Sequence, residues 1–247
     1  MEKVRYQDML PHEIVARRRR FPAAFVPIGV FEWHGEHLAA GMDGLMAERL
    51  CELAAARSGG FAFPALWYGG PLTFGFQEAN RDPEGRIRRK MGFKKRAFDE
   101  KWLGLSFDAQ VEFYDRQIYQ LLLQLHQLEM KAVCLVFGHV PWRDLASKAV
   151  KRFAKRYRTT AVFSEAAFYY PSRGMRIGDH AAKWETSCLW HLRPDCVDLS
   201  VYLGREKEPL INVLGEDPRA TATVEEGRKA CDIMVDALVR KAEAMLA

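Results

Sequence analysis

The sequence predicts an α/β fold: a compact single domain with a mainly parallel central sheet flanked by helices. Three observations lead there. The chain has 247 residues, 49% of them hydrophobic, with no low-complexity stretch, which suits one domain over 1–247 with a sizeable core. Helical and strand patterns alternate through its middle, and alternation favours parallel strands joined by helical crossovers. The first strand, Ala23-Ala24-Phe25-Val26-Pro27-Ile28-Gly29-Val30, is almost continuously apolar, as a strand covered on both faces must be.

The remaining elements follow in order. Residues 44–57 place Met46, Leu50 and Leu53 at helical spacing, leave Glu48, Arg49 and Glu52 for solvent, and stop at Ser58-Gly59-Gly60. Residues 61–68 read as a second strand. A long polar segment, 77–105, reads as an insertion or lid. From 108 to 130, Val111, Tyr114, Ile118, Leu121, Leu122, Leu125 and Leu128 keep the rhythm of a helix with one apolar face. Strand 132–137, helix 144–157 and strand 159–163 follow, and Thr223 with Glu226 forms a capping box for a last helix towards Met245.

Charge and cysteine content narrow the function classes. The net charge of +5 is modest but clustered, at Arg17–Arg20 and again at Arg86, Arg88, Arg89, Lys90, Lys94, Lys95 and Arg96. Such runs can hold nucleic acid. Without interleaved aromatics or a recognisable motif they read as a solvated face or subunit contact, and part of the second run as a border of the substrate entrance. Five scattered cysteines with no Cys-x-x-Cys pair read as reduced packing residues. No leader or bilayer-length apolar run is evident, so a cytoplasmic protein without a membrane partner is expected.

The chemistry gathers after the strands. Phe31-Glu32-Trp33-His34-Gly35-Glu36-His37 follows the first, and if the chain stays extended Glu32 and His34 point the same way. Asp43 stands before a helix, where it serves as N-cap, as a returning metal carboxylate, or as both. Strand 132–137 ends in Gly138-His139, and strand ends are where open α/β sheets collect ligands. Asp179-His180 and Glu185 lie where a loop enters a further apolar helical stretch. Buried carboxylates beside imidazoles are costly without a cation, so these residues read as a metal site.

Glu32-x-His34-Gly35-x-His37-Leu38 with Asp43, Gly138-His139, His180 with Glu185-Thr186-Ser187, and Gly215-Glu216-Asp217-Pro218-Arg219-Ala220-Thr221 together resemble the creatininase family of creatinine amidohydrolases. The matches run in family order from about residue 23 to 240. The resemblance implies a creatininase-like α/β fold, one or two divalent ions per subunit (Zn2+ and/or Mn2+), hydrolysis of an amide or related carbon–nitrogen bond in a small molecule, and assembly into a homo-oligomer, a hexamer. It also implies that Glu32 and His139 hold one metal, His34 the other, and Asp43 bridges them. A bridging carboxylate lets two dications sit about 3.5 to 4 Å apart. His180, tuned by Asp179, is expected to handle a proton.

The chain departs from the family pattern after His139. Creatininase carries a glutamate two residues further on, whereas this chain has Pro141, which cannot be a ligand; the second metal then either recruits Glu185 or binds weakly. His37 is expected to orient a ligand from behind or to hydrogen-bond substrate. Trp142 and Trp184, with Trp33, either wall a pocket for a flat ligand or pack in the core. The expected activity is metal-assisted hydrolysis of a small amide or cyclic amide. The alternatives are a non-catalytic metal-binding scaffold subunit and, further off, nucleic-acid binding through the arginine runs.

Overall fold

A computed structural model describes residues 3–71, 82–95, 104–166 and 178–247. Its centre is a four-stranded, all-parallel sheet in the order β2-β1-β3-β4, from β1 (Ala23–Ile28), β2 (Phe61–Ala62), β3 (Ala132–Phe137) and β4 (Ala161–Ala166). Helices α1 (Pro11–Arg20), α2 (Met42–Ser58), α3 (Arg86–Lys90), α4 (Phe107–Gln127), α5 (Val140–Arg156), α6 (Lys183–Leu192), α7 (Pro218–Thr221) and α8 (Val224–Leu246) surround it, with short 3-10 turns at Tyr6–Asp8, Pro194–Cys196 and Leu199–Tyr202.

Strand periodicity decides the layers. Along β1, Ala23 and Phe25 face one core with Ala47, Leu50, Cys188 and Met234, contributed by α2, α6 and α8. Ala24, Val26 and Ile28 face the other with Tyr114, Ile118, Leu122 and Phe153, contributed by α4 and α5. Each Leu or Phe buried this way contributes about 1.5–3 kcal/mol relative to exposure. Cys51, Cys134, Cys188 and Cys231 are buried and free, as expected of packing residues.

Several boundaries differ from expectation for local reasons. The segment 61–68 is a strand only at Phe61–Ala62 with one further bridge, Ile28 to Leu66, because Pro64 has no N–H for the ladder. α5 begins at Val140 rather than 144: Pro141 lies in its first turn, where no N–H partner is needed. The last strand runs 161–166 instead of 159–163, since Thr160 donates its hydroxyl to the Met130 carbonyl at 2.9 Å instead of entering the sheet. Glu52 is buried and held by Arg5 at 2.5 Å rather than left to water.

The run at Arg17–Arg20 is not simply a solvated face, for it ends helix α1. Arg17 is buried and donates to the Gly60 and Ala55 carbonyls at 2.6 and 2.8 Å, joining the Gly59 N–H on Ala55 and adding a cation at the carboxyl end of α2. Of the expected insertion at 77–105, residues 77–81 and 96–103 lie outside the described residues, and the segment between carries α3. Among the described residues no helix is long and apolar enough to cross a membrane.

Candidate metal centre

β1 and β3 lie side by side and parallel, and the chain leaves them in opposite lateral directions across the sheet. The crevice at the carboxyl ends of two such strands is where α/β sheets bind ligands. Glu32 follows β1 and His139 follows β3. The backbone between Ile28 and Leu38 is a loop, not an extended strand, yet Glu32 and His34 still meet, Oε2 to Nε2 at 3.9 Å. A bond from the Glu32 N–H to the Ala40 carbonyl, 2.8 Å, closes this loop and returns the chain to Asp43.

Glycines allow the close approach. A Cβ on Gly29 would lie 2.3 Å from the Gly44 Cα, and one on Gly138 would lie 2.2 Å from the Asp43 carbonyl oxygen. Side chains at either position would push the first turn of α2 off the sheet. Asp43 lies in that turn, Glu185 in the first turn of α6, and His139 is the N-cap residue of α5. Three helix N-termini thus aim their positive ends at buried carboxylates.

Asp43 is not the N-cap of α2. Gly41 holds that position, the helix has no side-chain cap, and Asp43 Oδ2 has no hydrogen-bond partner. The carboxylate is therefore available to the site. His139 Nδ1 lies 3.0 Å from Glu32 Oε2 and 3.7 Å from Asp43 Oδ2. His34 Nε2 lies 3.4 Å from Asp43 Oδ1 and 3.5 Å from Glu185 Oε2. Two sets capable of holding a metal share Asp43: Glu32, Asp43 and His139, and His34, Asp43 and Glu185; a third is Glu32, His34 and His180.

The donor chemistry fits a cation. His34 donates from Nδ1 to the Glu32 carbonyl at 3.3 Å, which leaves Nε2 facing the carboxylates of Asp43 and Glu185, with a proton in the metal-free chain or a lone pair towards a metal. Carboxylates converging on these rings need positive charge among them, as protons on the imidazoles or as a cation. His34 Nε2, Asp43 Oδ2 and His139 Nε2 are all buried without a hydrogen-bond partner. Burial pulls both imidazoles down, but neighbouring carboxylates outweigh it and raise each to about 10: chiefly Asp43 for His34, and Asp43 with Glu32 for His139. Burial raises Glu32 and Glu185, whereas for Asp43 the attraction of His34 and His139 overcomes burial and holds it low.

His180 reaches the site as expected. Its Nε2–H donates to the Trp33 carbonyl at 3.0 Å, its ring lies 4.6 Å from that of His34, and burial followed by the charge on His34 pulls it down to about 3. Asp179, expected to tune it, has another task. The N-cap residue of α6 is Ala182, which offers no side-chain acceptor, so both Asp179 oxygens take the Trp184 and Glu185 N–H groups, at 2.8 and 3.1 Å. Asp179 thereby fixes Glu185, whose Oε2 also accepts from the Ala181 N–H at 2.6 Å.

His37 is committed on both nitrogens, to the Tyr202 hydroxyl at 3.2 Å and the Thr186 hydroxyl at 2.9 Å, which ties the Glu32–His37 loop to α6. Trp142 is buried against His139 and Tyr114, and Trp184 packs against the core on α6; neither is among the described residues that line the cavity over Glu32 and His34. Trp33 is. It lines this cavity of about 300 Å³ together with Glu32, His34, Glu36, Lys90 and Met91. Tyr202 and Met91 escape sequence reasoning, since neither carries a motif and both come from segments without a strong period.

The sequence model of one family, described as creatinine amidohydrolase, matches residues 7–76 and 101–242. The chain belongs to the creatininase family. Solved creatininase structures share the fold. A crystal structure of creatinine amidohydrolase (creatininase) is 17% identical with a TM-score of 0.69, covering 99% of this chain and 97% of that one. A creatininase described as the Mn form is 19% identical with a TM-score of 0.64, covering 99% and 98%. A glutamate-to-glutamine creatininase variant of Zn-Zn type is 17% identical with a TM-score of 0.69, covering 99% and 98%. A putative creatinine amidohydrolase from Bacteroides fragilis NCTC 9343 is 17% identical with a TM-score of 0.59, covering 91% and 90%. A comparison with curated proteins found no match.

Proposed function

We propose that this creatininase-family chain is a metal-dependent hydrolase of a carbon–nitrogen bond in a small amide or cyclic amide. One observation carries the reading: two buried donor sets share Asp43, with His34 Nε2, Asp43 Oδ2 and His139 Nε2 left without hydrogen-bond partners. Zinc and manganese, the metals named for the related creatininases, suit this mixture of imidazole and carboxylate. Glu32, Asp43 and His139 would hold one ion, and His34, Asp43 and Glu185 the other. Glu185 then supplies the carboxylate that Pro141 cannot.

Divalent metal at such a site supplies Lewis acidity to a carbonyl oxygen and eases loss of a proton from water near neutral pH. The protein supplies the rest. Asp179 and the Ala181 N–H hold Glu185 in one orientation, and the Glu32 carbonyl holds His34 in one tautomer. His180 donates from Nε2 to Trp33, which leaves Nδ1 as its open acceptor. Burial keeps the ring neutral in the metal-free chain, and its open Nδ1 is the atom through which it would pass a proton from water to the departing nitrogen. The cavity beside Trp33 and Met91 is sized for a small substrate.

Metal analysis and amide hydrolysis, read together, test this. Glu32→Gln or His139→Ala should lose both bound metal and turnover. His180→Asn should keep wild-type metal content while kcat falls about 10²–10⁴-fold, the usual worth of a general acid–base group. Metal in the wild type with no turnover across a broad amide panel would instead mark a metal-bound scaffold.

A further inference from the structure

The cavity over Glu32 and His34 adjoins a second, of about 460 Å³, and Glu36 and Lys90 line both. Arg86, Arg89, Lys90 and Arg205 line the outer one against the carboxylates of Glu36 and Glu208. Both carboxylates are already engaged. Glu36 pairs with Lys90 at 3.0 Å and Arg205 at 3.1 Å, and Glu208 pairs with Arg205 at 2.7 Å. Among the described residues, Arg86 and Arg89 pair with no carboxylate; Arg89 gives one N–H to the Glu84 carbonyl at 2.8 Å.

These two guanidinium groups sit on a fixed platform. The Asp82 carboxylate accepts from the N–H groups of Arg86, Ile87 and Arg88 at 2.5, 3.2 and 2.8 Å, and Ile87 is buried. Lys90 pins the other end of α3 to Glu36. Three residues apart on one helix, Arg86 and Arg89 share a face. Paired guanidinium forks match the planar oxygens of carboxylates and phosphates, and an excess of positive charge at a cleft mouth draws anions in.

We propose that this vestibule is an anion subsite. A carboxylate or phosphate group of the substrate seats on Arg86 and Arg89 while its carbon–nitrogen bond reaches Glu32 and His34, which rests on the hydrolase reading for the word substrate and on the arginines alone for the anion. The charge recognises one end of the molecule and the metal centre acts on the other.

Two measurements separate those parts. Inorganic phosphate is titrated into metal-free wild type and into the Arg86→Gln/Arg89→Gln variant, followed by ³¹P line width. The wild type should bind, less tightly as salt rises, and the variant at least tenfold more weakly; acetate should displace phosphate if the natural group is a carboxylate. Absent binding, or equal binding in both proteins, overturns the subsite. Arg89→Gln alone, at an exposed position, covers failure of the double variant to fold.

The second measurement compares matched small amides bearing a carboxylate, a phosphate monoester or a neutral carboxamide, turned over by metal-loaded protein. Wild type should favour one anionic member at least tenfold in kcat/KM, and the ratio should fall towards one in the double variant. Equal turnover of all three overturns the subsite while the hydrolase reading stands. Arginine-dependent phosphate binding without turnover of any amide leaves the anion site standing and overturns the hydrolase reading.

Discussion

His34 shows how one hydrogen bond commits a side chain to a task. With Nδ1–H on the Glu32 carbonyl, Nε2 is the atom turned to the carboxylate oxygens, where it carries a proton in the metal-free chain and can give its lone pair to a metal. Glu32, His34 and His139 were legible because carboxylates and imidazoles beyond apolar strand ends have few inexpensive uses, whereas Asp43 and Glu185, in the first turns of helices, became favoured ligand candidates through the family resemblance. Asp179 was legible as a residue but not in its role, since a loop aspartate beside a histidine reads the same whether it faces the ring or caps the next helix. His37 yields a prediction. Burial first, and the charge on His34 second, lower it to about 4 from 6.5, so the unfolded chain binds the extra proton between those values. The stability from neutral His37 is then complete above pH about 6.5 and lost as pH falls towards 4. Thermal denaturation at pH 7 and pH 5 should show a smaller drop in Tm for His37→Gln, which keeps hydrogen-bonding capacity towards Thr186 and Tyr202 but cannot titrate. An equal drop in both proteins would contradict it.

Among the elements, all four strands and the long helices were legible in the sequence, whereas the shorter helices α1, α3 and α7 were not. α2, α4 and α8 carry three-and-four apolar rhythms over long stretches, and each lies within a few residues of its expected range. β2 came through with its start but too long, and α1 did not come through. Pro64 cuts the strand in the middle of an apolar run, and α1 hides its pattern under four consecutive arginines, of which only Arg17 turns inward. Close packing of α6 on α8 carries an element-scale prediction. A Cβ on Gly227 would come within 1.8 Å of the Ser187 carbonyl oxygen, two residues from Glu185. Gly227→Ala should therefore force the helices apart, costing about 1–3 kcal/mol by overpacking. At roughly 2–4 °C of Tm per kcal/mol for a chain this size, the loss is measurable. Because α6 carries Glu185, metal affinity read by competition with a chromophoric chelator should weaken as well. Unchanged Tm and affinity would show that the contact relaxes freely.

At the scale of the whole molecule, the fold is a device for bringing the ends of distant segments to one crevice. Parallel pairing of β1 with β3 sets Glu32 beside His139, glycines at 29 and 138 let α2 close in with Asp43, and the Asp179 cap aims Glu185 from α6. The family assignment and the all-parallel sheet agree with the architecture expected from alternating helices and strands. The three buried carboxylates, held this closely, repel one another unless positive charge sits among them. The central claim is that this charge is divalent metal bridged by Asp43. Elemental analysis of wild type and Asp43→Asn, each purified without chelator and dialysed, tests it most directly. One to two equivalents of zinc or manganese per wild-type chain, falling to well under half an equivalent in the variant, is the predicted result. Metal-free wild type after dialysis against either ion, or an Asp43→Asn protein holding as much metal as wild type, would contradict the account.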